Sequence, residues 1–295
     1  MCRVLNILCE PLHRVANLVR ISVLCRVYNF YYPRYLRYED FCVAITNLPT
    51  QPMMSDAEWE TRCDLAALYH IFHHLRMTDL IYTHMTARIP GEKDTFLINN
   101  YGEMFDEVTA SSLVKMDFEG NVIGDQDSYN EAGFTIHSGV YKARPDVTCV
   151  AHTHTNAGVA ISITKEGLLP ISQDAAVVIH EVGYHDYGTP ASQAECDALG
   201  HSCKEFNCVI LRNHGLLTLG ASIPAAFLRM YFLEHACSEQ VAASSLNTEL
   251  TSIDPQVLED VKQRFGTFRA NDDFGKLEWR AMIRLLERNG AQYKQ

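Results

Sequence analysis

Hydrophobic and polar positions settle into regular periods only from Ser55 onward. Ser55-Asp56-Ala57-Glu58 has the form of a capping box, in which the serine accepts from the Glu58 amide and the glutamate reaches back. After it Trp59, Cys63, Ala66, Ala67, Tyr69, His70 and His73 recur at helical spacing to about Arg76. Residues 83–89 and 95–98 alternate as strands around the turn Pro90-Gly91-Glu92-Lys93, and a further strand follows near 111–117. A helix over 134–142 must stop before Pro145, because proline disfavours helical geometry in the residue preceding it. The pattern then predicts a strand at 147–153, helices at 156–165 and 191–206, a strand at 208–212 and a long amphipathic helix at 223–244. In the tail, Asp254-Pro255 sets a cap residue before a first-turn proline, and 277–286 forms a last helix that ends near Gly290. Mixed strands and helices without an internal repeat predict a layered α/β or α+β domain.

Residues 1–54 have a different texture. They carry six arginines, no lysine and three acidic groups, a net +3, whereas the rest of the chain sums to −14. The segment is Arg-rich and acid-poor like an organelle transit peptide, yet it holds one serine, Ser22, and its apolar residues keep no sustained period. It is therefore read as an N-terminal extension, with a natural start near Met53 or Met54, a core domain at 55–250 and a helical tail at 251–295. The tail's apolar stripe covers either its own domain or a neighbouring subunit.

At 295 residues, 47% hydrophobic and 21% charged, the chain is ordinary globular material. Its net charge of −11 argues against a nucleic-acid partner bound through its phosphates. No run of about 18 uncharged apolar residues suggests a membrane span. The ten cysteines are scattered with no CxxC pair, which fits buried thiols in a reducing, cytoplasmic setting.

The chemistry concentrates in Cys149-Val150-Ala151-His152-Thr153-His154. On a strand, alternate residues share a face about 7 Å apart, so His152 and His154 project together while Cys149 faces the other way into the core. Such a pair either binds a nitrogen-preferring divalent cation, zinc above all, or is simply a pair of hydrogen-bonded strand histidines. A third candidate, His214, follows the buried strand Val209-Ile210-Leu211 in Arg212-Asn213-His214-Gly215, where Gly215 offers backbone freedom to turn the imidazole inward. Three imidazoles with an open fourth position would match a catalytic zinc site. The helical triplet His70, His73 and His74 has no acidic partner and reads as core or surface. His185 reads as a hydrogen-bonded loop residue or an extra ligand, and His180 and Glu181 as surface.

Val140-Tyr141-Lys142-Ala143-Arg144-Pro145-Asp146, the HxH strand and Asn213-His214-Gly215 together resemble the class II aldolase/adducin family. Asn130-Glu131-Ala132-Gly133-Phe134 and the run 167–173 are especially similar to its adducin-like branch and to uncharacterised bacterial members, and the resemblance extends from about Asp56 to Ala243. It implies a three-layer α/β/α domain with a central mixed, largely antiparallel sheet, commonly assembled as a homotetramer. It also implies that zinc, or another divalent metal, is held by His152, His154 and His214, and that Tyr187 supplies a proton. The implied reaction is an aldolase-type cleavage, or a related epimerisation, of a small hydroxy-carbonyl compound. The sequence departs from the aldolases in two places. Their general-base glutamate lies four residues before a helical histidine, here His137, and that position is Gly133. Glu131 is close by, but helix geometry aims it about 200° away. The phosphate-cradling Gly-Asn is replaced by Thr83-His84, so a phosphate on the substrate is not expected to be essential. The alternative is a non-catalytic adducin-like module that self-associates or binds actin.

Overall fold

The computed structural model describes residues 54–124, 128–189 and 192–295. The expected extension at 1–54 therefore lies, Met54 aside, outside the described residues. Helix α1, Asp56–His74, starts where the cap predicts, with the Glu58 amide donating to Ser55 Oγ at 3.1 Å. The glutamate does not reach back, however. Its buried carboxylate pairs with Arg62 at 2.9 Å and Lys115 at 2.8 Å, because a charge this deep needs cationic partners more than the helix start needs a second cap.

Strands β1 (His84–Arg88), β2 (Thr95–Ile98) and β3 (Val114–Asp117) form an antiparallel meander. Helix α2, Glu131–Ala143, begins three residues before its apolar period, since Asn130 accepts from the Ala132 and Gly133 amides and nucleates the first turn. It returns the chain to β4, Cys149–Thr153. After α3 (Asn156–Ile163) and α4 (Gln173–Val178) come β5 (Val182–His185), α5 (Gln193–Ser202), β6 (Cys208–Leu211) and β7 (Gly215–Gly220). The seven-stranded sheet runs β3-β2-β1-β4-β7-β6-β5, antiparallel at every pairing except β5 with β6.

The side chains of β4 alternate between two cores. Cys149 and Ala151 join the cluster that holds Leu68 and Phe72 of α1, together with Phe227 of the helix α6 (Ile223–Ser244). Val150 joins Ile136 and Val140 of α2 and Leu199 of α5 on the opposite face. The result is the three-layer α/β/α arrangement expected from the resemblance, and Cys149 lies where alternation puts it.

Three elements were not legible from periodicity. Strand β7, Gly-Leu-Leu-Thr-Leu-Gly, is buried throughout and so shows no alternation, and α4 is only six residues long. Strand β5 carries a glycine and exposed Tyr184 in a four-residue span. Helix α5 is shorter than the span 191–206, because beyond Ser202 the Arg144 guanidinium takes over as donor to the Cys203 and Phe206 carbonyls. Glu181 is not at the surface. Its carboxylate accepts from Arg229, Asn207 and Arg269, the last belonging to α7, Pro255–Arg269. The final helix α8, Lys276–Arg288, buries Trp279 and Leu286, with the Trp279 ring 6.0 Å from Phe227 of α6.

Candidate metal centre

Strand β4 lies between β1 and β7, and pairing sets His152 beside His84 on one side and Leu217 on the other. His152 is 1% exposed and shares its face of the sheet with Val150. His154 follows two residues later, past the end of the strand. His214 arrives from the β6–β7 hairpin, which closes at the pair Leu211 and Gly215. The left-handed residue in that turn is Asn213, with φ of 60°, a conformation that asparagine tolerates better than most side chains. Gly215 serves differently from the expectation. A Cβ there would stand 2.3 Å from the Thr153 carbonyl oxygen, so the glycine permits close approach of the hairpin to β4.

The three imidazoles meet. Ring centroids are 4.6 Å apart for His152 and His154, 4.8 Å for His152 and His214, and 4.8 Å for His154 and His214. One nitrogen from each lies within 4.8 Å of the others. Hydrogen bonds fix the tautomers of two of them. His152 Nδ1 donates to the Leu216 carbonyl at 2.9 Å, and His154 Nδ1 donates to Asp79 Oδ2 at 3.0 Å. Each then presents a bare Nε2, and these two nitrogens face each other at 2.8 Å. Two lone pairs at that separation repel unless a proton or a cation lies between them. Burial, reinforced by neighbouring imidazoles, holds His152 well below the usual histidine range and His214 at about 4, so both stay neutral and able to donate a lone pair near pH 7. An Asp–His–cation alignment of this kind is the usual way a protein orients a metal-ligating imidazole. The donor set fits a nitrogen-preferring divalent cation.

The missing glutamate has a spatial explanation. A Cβ built on Gly133 would lie 2.8 Å from His84 Cδ2 and 2.9 Å from Cγ, so the His84 ring already fills the space above that residue. His84 is 3% exposed and packs 5.1 Å from the His152 ring. Its Nδ1 bonds His137 Nε2 at 3.0 Å, His137 Nδ1 bonds Thr86 Oγ1 at 2.6 Å, and Thr86 continues to the Tyr141 hydroxyl at 2.8 Å. Burial first, then neighbouring imidazoles, keep His84 and His137 neutral.

The histidines open into a cavity of about 100 Å³. Tyr187 is 60% exposed at its mouth, its ring centroid 6.1 Å from that of His214. Glu131 lies elsewhere. It is exposed on the first turn of α2, where its carbonyl accepts from Thr135, while Asn130 and Ala132 face the cavity. His70, by contrast, is buried against the Val108 carbonyl at 2.9 Å, far in sequence from this centre and outside the three-imidazole group. Sequence reasoning missed Asp79, Glu195 and Arg212, and read His84 only as part of the replaced phosphate cradle. The His84–His152 register was hidden in an unaligned strand pair, and Asp79 sits in a loop with no periodic signal. Arg212 directly precedes the recognised Asn-His-Gly. Its guanidinium stacks 4.2 Å from the Tyr184 ring centroid and donates to the Thr164 carbonyl at 2.5 Å.

The family model for the class II aldolase and adducin N-terminal domain matches residues 63–241. The chain belongs to this family. A Pseudomonas aeruginosa protein named, provisionally, as an aldolase class 2 protein is 44% identical, the match covering 85% of this chain and 99% of its relative. Rat alpha-adducin is 38% identical over 78% of this chain, but the matched region is 33% of the adducin. Among solved structures, an aldolase II superfamily protein from Pseudomonas syringae shares 42% identity with a TM-score of 0.78, covering 82% of this chain and 98% of that one. An L-fuculose 1-phosphate aldolase from Glaciozyma antarctica shares 27% identity with a TM-score of 0.72, over 86% and 99%.

Proposed function

We propose that this family member is a metal-dependent lyase of the aldolase type, or a related epimerase, acting on a small hydroxy-carbonyl compound. The observation that carries the reading is the pair of bare, facing nitrogens of His152 and His154, closed by His214, beside a cavity. These three residues would hold the cation. When bound, a divalent ion there supplies Lewis-acid stabilisation of negative charge on substrate oxygens. The chain's own groups do the rest. Asp79 fixes the His154 tautomer, the apolar wall of Ile136 and Leu211 limits water, and Tyr187 stands at the mouth, where its hydroxyl donates a hydrogen bond to the oxygen of the departing fragment. Glu131, outside the cavity, takes no part.

In this reading the enzyme is a cytoplasmic homo-oligomer. The six described cysteines are all free, and among the described residues no helix is long and apolar enough to cross a membrane. A phosphate on the substrate is dispensable, since His84 stands in place of the Gly-Asn cradle. The similarity to alpha-adducin supports a second reading, a binding module with actin as a candidate partner. Elemental analysis of the parent beside a His152→Ala/His154→Ala double variant tests the first. The parent should carry near-stoichiometric metal and the variant none, and equal contents would refute the ligand assignment. A retro-aldol screen of hydroxy-carbonyl compounds, with and without phosphate, then separates the readings. Metal without turnover, together with cosedimentation on filamentous actin, would favour the module.

A further inference from the structure

The cavity that holds the three histidines is also lined by a carboxylate–histidine pair that no motif of the sequence announced. Glu195 is the only carboxylate among the described residues lining the cavity. It stands on the first turn of α5, where its amide donates to the capping Ser192 Oγ at 3.2 Å and the helix N-terminus favours negative charge. Its Oε1 lies 2.9 Å from His185 Nε2, and the two side chains are 17% and 8% exposed. On the far side of the ring, His185 Nδ1 lies 3.0 Å from Ser202 Oγ. The serine hydroxyl also lies 3.2 Å from the Ala198 carbonyl, so its one proton serves either neighbour. The 2.9 Å contact is met by Nε2–H donating to the carboxylate, a charge-assisted hydrogen bond that holds Glu195 in place. The backbone makes room for this group. A Cβ on Gly188, beside Tyr187, would lie 1.7 Å from Glu195 Oε2.

We propose that Glu195, backed by His185, is the acid–base residue of the reaction and replaces, from another element lining the cavity, the glutamate that Gly133 lacks. The inference rests on the aldolase-type reading above and deepens it. In the cleavage direction the Glu195 carboxylate takes the proton of the substrate hydroxyl, and that O–H electron pair becomes the second bond of the new carbonyl. The adjacent carbon–carbon bond breaks, and its pair passes into an enediolate of the carbonyl fragment. The same proton is then returned from Glu195 to the carbanionic carbon. Protons and electrons balance without a co-reactant. His185 stays in place as the positioning partner that keeps the carboxylate paired while it gains and loses the proton.

The test uses the metal-replete full chain and three small probes, dihydroxyacetone, hydroxyacetone and glycolaldehyde. Exchange of their carbon-bound hydrogens in D2O is followed by NMR. Glu195→Gln should retain metal content and melting temperature but exchange about 10²–10⁴-fold more slowly than the parent, the span of a lost general acid–base group. Glu195→Asp should recover part of the rate. Glu195→Ala should be accelerated by added formate, a response that a merely structural carboxylate would not give. A Glu195→Gln enzyme exchanging at the parental rate, or Glu195→Ala indifferent to formate, overturns the proposal and leaves the aldolase-type reading standing. A parent that exchanges none of the three probes overturns both.

Discussion

Adding one methyl group at Gly133 should damage this protein through a single contact, and the structure gives the size of the effect. A Cβ there would lie 2.8, 2.9 and 3.1 Å from three atoms of the His84 ring, where carbon contacts normally settle near 3.5–4.0 Å. The ring must retreat by several tenths of an ångström, yet Nδ1 is tied to His137 and the ring packs on His152. Overpacking of this kind costs about 1–3 kcal/mol, and loss of the buried His84–His137 hydrogen bond adds about 1–3 kcal/mol if the ring swings away. Against this stands the helix preference of alanine over glycine, about 1 kcal/mol. Gly133→Ala should thus be destabilised by about 1–5 kcal/mol when the ring swings away, read as a lower urea midpoint at unchanged slope. Truncating His84 to alanine removes the obstacle, so the double variant should be more stable than the sum of the singles by at least about 1 kcal/mol. Strict additivity would refute the argument that His84 occupies the space above Gly133. A parallel pair, Gly133→Glu with and without His84→Asn, moves both positions toward the aldolase pattern, and only the double should fold with parental cooperativity.

Two further outcomes follow from the same geometry. Asp79→Asn weakens the acceptor that fixes the His154 tautomer, so metal affinity measured by competition with a chelator should fall about 10–100-fold while the fold persists; an unchanged affinity would remove Asp79 from the site. His84 and His137 are neutral when folded and titrate near 6.5 when exposed, so the unfolded chain binds more protons below that pH. Their contribution to stability is intact above pH 6.5 and is lost as the pH falls, by about 1.4 kcal/mol per pH unit for each group, and urea midpoints of the metal-free protein at pH 7 and pH 5 should show the decline. Equal midpoints would count against their burial as neutral rings.

How much of this was readable before the fold depends on how local each signal is. The helix Ile223–Ser244 was legible residue for residue because its apolar face repeats over six turns and it opens on a serine cap with proline in the first turn. His152 and His154 were legible as a pair because strand alternation needs nothing beyond two residues of sequence. His214 was harder to place, since its approach depends on Asn213 adopting a left-handed turn and on Gly215 passing within touching distance of Thr153. Strand β7, central to the sheet, was missed because complete burial erases the alternation by which strands are read.

The exchange at Gly133 and the placing of Glu195 were illegible for a deeper reason. The sequence shows that a glutamate is absent at position 133, and an absence read alone suggests lost activity. The fold shows instead an exchange of volumes: Gly133 is small because His84, fifty residues earlier on a neighbouring strand, is large. Neither change is intelligible without the other, and no periodicity links them. The same holds for Glu195, which no motif marked within the helix expected at 191–206; β5 delivers His185 beside it and Gly188 leaves room for its carboxylate. A carboxylate held against a buried histidine lines the same cavity as three convergent imidazoles, which puts a group able to take and return a proton in the candidate site. That shared cavity, which the buried pairs of Glu58 and Glu181 do not line, is the argument for a chemical role at Glu195, and it applies whatever the fate of position 133.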